Sequence, residues 1–90
     1  MPKSSLKIFK TKDFEKSFEK LPKNLQILAV KKISLFQNYP FNSQLKTHKL
    51  KGKLQNFHSF SINQQYRILF EFLSKNKVLF YDIGTHSIYK

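Results

Sequence analysis

The sequence predicts an α+β domain: an N-terminal strand and a helical hairpin packed on a twisted antiparallel sheet, in the order β-α-α-β-β-β. Three observations carry this. Apolar residues recur at helical spacing between residues 13 and 38. From residue 57 onward they alternate, and strand formers dominate. At 90 residues the chain has room for one domain, 1–90, so helices and sheet must bury each other's apolar faces.

The elements follow in order. Leu6-Lys7-Ile8-Phe9-Lys10 reads as a short first strand. Thr11 fits a helix N-cap, with Asp13 and Glu15 in the first turn, where the helix dipole favours acids. Phe14, Phe18 and Leu21 fall at i, i+4 and i+7, one face of a short helix. Pro22 fits the first position of a second helix. Leu25, Leu28, Ala29, Ile33 and Phe36 make its apolar stripe, and Asn38 and Pro40 end it. Residues 39–53 show no period and read as a long loop, a kind of segment that is often functional. Three strands then follow, at 57–62, 66–73 and 77–84, with turns at Asn63–Gln65 and Ser74–Asn76.

Composition narrows the function classes. The chain is 40% hydrophobic and 16% aromatic, with ten Phe, which is enough to build a core and excludes wholesale disorder. Seventeen Lys and Arg against five Asp and Glu give a net charge of +12. Such an excess attracts polyanions, with nucleic acid first among them. No cysteine is present, which excludes a disulfide framework and cysteine chemistry. No apolar run is long enough to span a membrane, and the N-terminal stretch lacks the apolar core of a secretory signal, so a cytoplasmic protein is expected. Sixteen of the seventeen basic residues are Lys, and only Arg67 is Arg. Arg offers a planar, bidentate fork that Lys cannot copy, which marks Arg67.

The residue inventory then limits the chemistry. Glycine-rich phosphate loops are absent. The acids are Asp13, Glu15, Glu19, Glu71 and Asp82, three of them on the first helix with surface spacing. That leaves a two-carboxylate metal nuclease short of ligands, and the three His lack metal-ligand spacing, so no metal or other cofactor is expected. What remains is His48, His58, His86, Arg67, Tyr66, Tyr89 and the lysines of the 46–53 segment. This set suits metal-free RNA cleavage, in which the ribose 2′-OH attacks the adjacent phosphate. A histidine can take or give a proton near neutral pH, an arginine matches the crowded phosphate oxygens, and lysines grip the backbone. Plainer roles compete: His58 as a packed strand residue, Arg67 as a partner of Glu71 on the same strand face, and the lysines as a solvated surface.

A family resemblance joins these residues. His48-Lys49-Leu50-Lys51-Gly52, Phe57-His58-Ser59-Phe60-Ser61-Ile62, Tyr66-Arg67-Ile68-Leu69-Phe70 and Asp82-Ile83-Gly84-Thr85-His86 resemble, in that order, the RelE/ParE superfamily of type II toxins. The nearest branch is the RelE/StbE and YafQ-like group of mRNA interferases, and the similarity runs from Phe9 through Tyr89. The resemblance implies a microbial RNase-like fold. It implies a metal-independent endoribonuclease that cuts mRNA in the ribosomal A site, and a cognate antitoxin that neutralises it in a hetero-oligomeric complex. By position, His48 matches the family's HxLxG histidine, Arg67 the strand arginine at the scissile phosphate, and His86 the histidine of the GTH motif. Tyr89 matches the terminal aromatic, and Lys46, Lys49, Lys51 and Lys53 fall among the RNA-binding lysines.

The match is mixed in places. YafQ-like toxins carry another His and an Asp near Ser61 and Gln65, and Arg67 stands where that branch has an apolar residue. Tyr89 follows His86 by three residues, where the family's aromatic often follows by four. Two other readings are therefore carried: a ParE-like inhibitor of DNA gyrase without nuclease chemistry, and a catalytically silent member that binds antitoxin.

Overall fold

A computed structural model describes residues 5–89. Residues 1–4 and 90, the ends of the predicted 1–90 domain and the start of the stretch read as lacking a secretory signal, lie outside it. The chain runs β1 (Lys7–Lys10), α1 (Lys12–Lys20), α2 (Lys23–Asn38), β2 (His48–Lys49), β3 (His58–Ser61), β4 (Arg67–Ser74) and β5 (Lys77–Gly84). The α+β class holds, with helices on a sheet of order β1-β5-β4-β3-β2. The sheet is mixed rather than wholly antiparallel. β2 to β5 pair antiparallel, whereas β1 joins the far edge parallel to β5, with Ile8 opposite Val78 and Phe9 opposite Leu79. The two helices between β1 and the rest of the sheet supply the crossover that a parallel pair requires.

Local signals explain the helix ends. Thr11 Oγ1 accepts from Phe14 N at 3.0 Å and donates to the Tyr81 carbonyl at 2.8 Å, so one side chain caps α1 and ties it to β5. Pro22 is the N-cap of α2 rather than its first helical residue, and makes no side-chain cap bond. Gln26 works at this corner instead: its amide donates toward the carbonyls of Phe18, Glu19 and Leu21, around the C-terminal end of α1.

The core is a phenylalanine cluster between helices and sheet. The Phe36 ring lies 4.3 Å from Phe60, 4.8 Å from Phe70 and 5.8 Å from Phe80, centroid to centroid. Phe14 reaches Phe80 from α1 at 5.3 Å. Ala29, Leu45, Ile68 and Val78 are fully buried around them. Offset and edge-on packing of this kind adds about 0.5–1.5 kcal/mol per pair beyond area burial.

The 39–53 segment is ordered by short elements that periodicity could not reveal. A 3-10 turn at Ser43–Leu45 plants the buried Leu45 in the core, β2 pairs with β3, and a second 3-10 turn spans Gly52–Leu54. Among the described residues, no helix is long and apolar enough to cross a membrane.

Candidate active site

Strand register decides which side chains share the face turned away from the helices. Phe60, Ile68 and Ile83 are mutual partners on the buried face. Their neighbours along the strands therefore point the other way. One open-face row is His48, Ser59, Leu69 and Asp82; the next is Ser61, Arg67 and Gly84. Glu71 pairs with Leu79 further along the same face.

His48, Arg67 and Lys46 come together. They line a cavity of about 370 Å³ with Ser61, Asn63, Gln64 and Lys32. Lys46 sits at φ 52°, in the left-handed region that few non-glycine residues occupy. Its carbonyl lies 2.9 Å from His48 Nδ1. A carbonyl only accepts, so Nδ1 carries the proton and Nε2 of the neutral ring is left with a lone pair. Arg67 is held by a bond from Nη2 to the Gln64 carbonyl at 3.2 Å, while its Nε is buried and has no hydrogen-bond partner among the described residues. A buried, unpaired donor is costly unless something fills it. Glu71 takes its hydrogen bond from Tyr81, at 3.0 Å, in place of the Arg67 pairing considered from sequence. Burial and the adjacent Glu71 carboxylate push the Tyr81 hydroxyl pKa up.

His86 and Tyr89 are on the C-terminal 3-10 turn His86–Tyr89 and do not line that cavity. The turn folds back over the open face. Tyr89 donates to Ser59 Oγ at 2.6 Å, and a Cβ on Gly84 would come within 2.8 Å of Ile88. The His86 ring is exposed and meets the Tyr89 ring edge-on at 5.5 Å. Ser59 is the one buried polar residue among those described, and its role was not visible in sequence. Only the register and the returning turn give it a partner 30 positions away.

The other expected residues are elsewhere. Lys49 shares the opposite face with His58; Lys51 and Lys53 are exposed at the second 3-10 turn. His58 packs between Phe70 and Phe72 with its Nδ1 buried and unpartnered among the described residues. Burial, then Lys49 and His48, lower its pKa. Its packed-residue reading stands. Among the described residues, no three His, Asp or Glu side chains gather into a metal-binding cluster.

No protein-family model matches the chain, and no curated protein matches it in sequence. Solved structures do match in shape. A YoeB/ParE toxin from Agrobacterium tumefaciens superposes with a TM-score of 0.76 at 18% identity, over 90% of this chain and 99% of that one. The toxin–antitoxin complex RelBE2 of Mycobacterium tuberculosis gives 0.76 at 15% identity, over 91% and 99%. The DinJ–YafQ toxin–antitoxin complex of Escherichia coli gives 0.74 at 17%, over 93% and 96%. The fold is that of the RelE/ParE-like toxins. At these identities the likeness carries the architecture, and the chemistry rests on the residues of this chain.

Proposed function

We propose that this chain is the toxin of a toxin–antitoxin pair and that it cleaves mRNA, in the ribosomal A site, without a metal. The observation that carries the reading is the placement of His48 and Arg67 on one cavity of a strongly basic domain. In this mechanism His48 Nε2 takes the proton of a ribose 2′-OH. The 2′-oxygen bonds to phosphorus as the bond from phosphorus to the 5′-oxygen breaks. Arg67, through the guanidinium protons not used on the Gln64 carbonyl, neutralises the oxygens of the crowded phosphate. His86, on the turn that follows Gly84, the register partner of Arg67, returns a proton to the leaving 5′-oxygen. The products are a 2′,3′-cyclic phosphate and a 5′-hydroxyl. Ser59 and Gly84 are positioning residues: they seat the turn that carries His86. Tyr89 anchors that turn through Ser59. Lys46, Lys49, Lys51 and Lys53 supply the sequence-independent attraction to RNA.

A cognate antitoxin fits the same domain. An acidic chain would offset the charge of +12 and cover exposed apolar side chains such as Ile27 and Val30 on α2. The test is 3′-end mapping of an mRNA on ribosomes with an empty A site. Wild-type protein cuts within the A-site codon, and Arg67→Ala and His86→Ala do not. Folded wild-type protein that makes no cut overturns the reading, and a gyrase supercoiling assay then distinguishes an inhibitor from a silent member.

A further inference from the structure

A second feature of the basic surface has no part in this mechanism. Tyr39 and Phe41 are 51% and 65% exposed, and they flank Pro40 on the turn that leaves α2. The turn is pinned. Asn42 N donates to the Tyr39 carbonyl at 3.0 Å, and the Thr47 hydroxyl donates to the Pro40 carbonyl. Two largely exposed aromatic rings thus sit on a hydrogen-bonded turn. Phe41 lies nearly parallel to Phe72, at 6.0 Å and 21°, and Phe72 meets His58 edge-on at 5.0 Å. Phe41 thus aligns with Phe72 while most of its surface stays open to solvent. Lys49 is the register partner of His58, which brings a cation to the same face of the sheet. Residues 39–58 hold four Lys and no Asp or Glu.

We infer that the Tyr39–Phe41 turn is a base-stacking subsite for single-stranded RNA, occupied by a nucleotide flanking the one that is cut. This rests on the reading of the open face as an RNA-cleaving site. β2 links the two places, because adjacent residues point to opposite faces: His48 to the cavity and Lys49 toward His58. An RNA strand crossing the β2 edge meets both. Unpaired bases stack on aromatic rings without regard to sequence, and lysines hold the phosphates between them. The acidic partner proposed above has apolar side chains of α2 to cover, whereas alternating exposed rings and lysines match the bases and phosphates of a single strand.

The test uses the full chain and a short, mixed-sequence 2′-O-methyl RNA, which binds but cannot be cut. Fluorescence anisotropy reads affinity across a salt series. Phe41→Ala weakens binding by about tenfold, while Phe41→Trp stays within about twofold of wild type. The salt slope of Phe41→Ala stays parallel to that of wild type, since no cation is lost; Lys49→Gln lowers the slope. An unchanged affinity in Phe41→Ala, or no binding by wild-type protein, overturns the inference and leaves the turn to a protein partner. Thermal melting of Phe41→Ala matches wild type, so a fold defect is separable. Cleavage is scored independently. Cutting that persists with Phe41-independent binding sinks the subsite alone. Phe41-dependent binding without any cutting sinks the cleavage mechanism alone.

Discussion

The buried and open faces of the sheet differ in what their residues do. On the buried face, Phe60, Ile68, Phe70, Val78 and Phe80 meet the helices and are nearly or fully inaccessible to solvent. On the open face, His48, Ser59, Ser61, Arg67, Glu71, Tyr81 and Asp82 come from the same strands, and a single C-terminal turn covers part of them. The first face makes the domain stable, and the second is free to hold costly groups such as an Arg67 Nε with no partner among the described residues. The two kinds of substitution should therefore separate cleanly, with core changes moving stability and open-face changes moving activity.

The largest separation is between Phe36 and Arg67. Phe36→Ala removes the ring at the centre of the aromatic cluster, at a cost of about 3–5 kcal/mol. A 90-residue domain has about 5–13 kcal/mol in all, so a denaturant melt of this variant shifts far toward the unfolded state. Arg67→Ala leaves the melt within about 1 kcal/mol of wild type, while cleavage falls about 100- to 1,000-fold. A variant at Arg67 that unfolds the domain would break the comparison.

Ser59 sharpens it, because it is buried yet serves the open face. Ser59→Ala loses the bond to Tyr89 and costs about 0.5–1.5 kcal/mol in a melt. Cleavage falls further than that loss of stability explains, and Ser59→Thr, which keeps the hydroxyl, recovers part of it. The loss falls on kcat rather than on RNA affinity, because the turn that carries His86 is no longer tied to the sheet through Tyr89.

His58 gives a smaller effect with a definite sign. Its folded-state pKa lies below the ordinary value, chiefly through burial and then through Lys49 and His48. As pH falls, the unfolded chain binds this proton first. Stability is full above the ordinary histidine range and declines as pH drops through it toward the lower folded-state pKa. Denaturant midpoints across that range, for wild type and for His58→Phe, should show the slope reduced in the variant. The smallest effects belong to the exposed lysines. Lys51→Gln and Lys53→Gln should each weaken binding to 2′-O-methyl RNA a few-fold and lower the salt slope by about 0.7.

Much of this was legible in the sequence. The Thr11 cap, the helical stripe through Phe36 and the alternation after residue 57 each express a local rule, and local rules survive without the fold. The parallel pairing of β1 with β5 is a contact across 70 positions, and no spacing encodes it. β2 leaves no signature in the sequence, because two residues cannot show a period. His48 and Arg67 could be singled out by residue type, but their shared cavity depends on the left-handed turn at Lys46 and on the β2–β3 register. His86 and Tyr89 follow the last strand that the alternation marks, and the Ser59 bond that folds this turn over the sheet is tertiary.

The most direct test of the central claim is single-turnover cleavage of a ribosome-bound mRNA carrying one 2′-deoxynucleotide at the mapped cut, beside the all-ribose message, with wild type and Arg67→Ala. The account predicts that wild-type protein leaves a 2′,3′-cyclic phosphate on the ribose message. It predicts that the deoxy substitution abolishes the cut and that Arg67→Ala nearly does. Equal cutting of the deoxy message, or an Arg67→Ala rate equal to wild type, would contradict it.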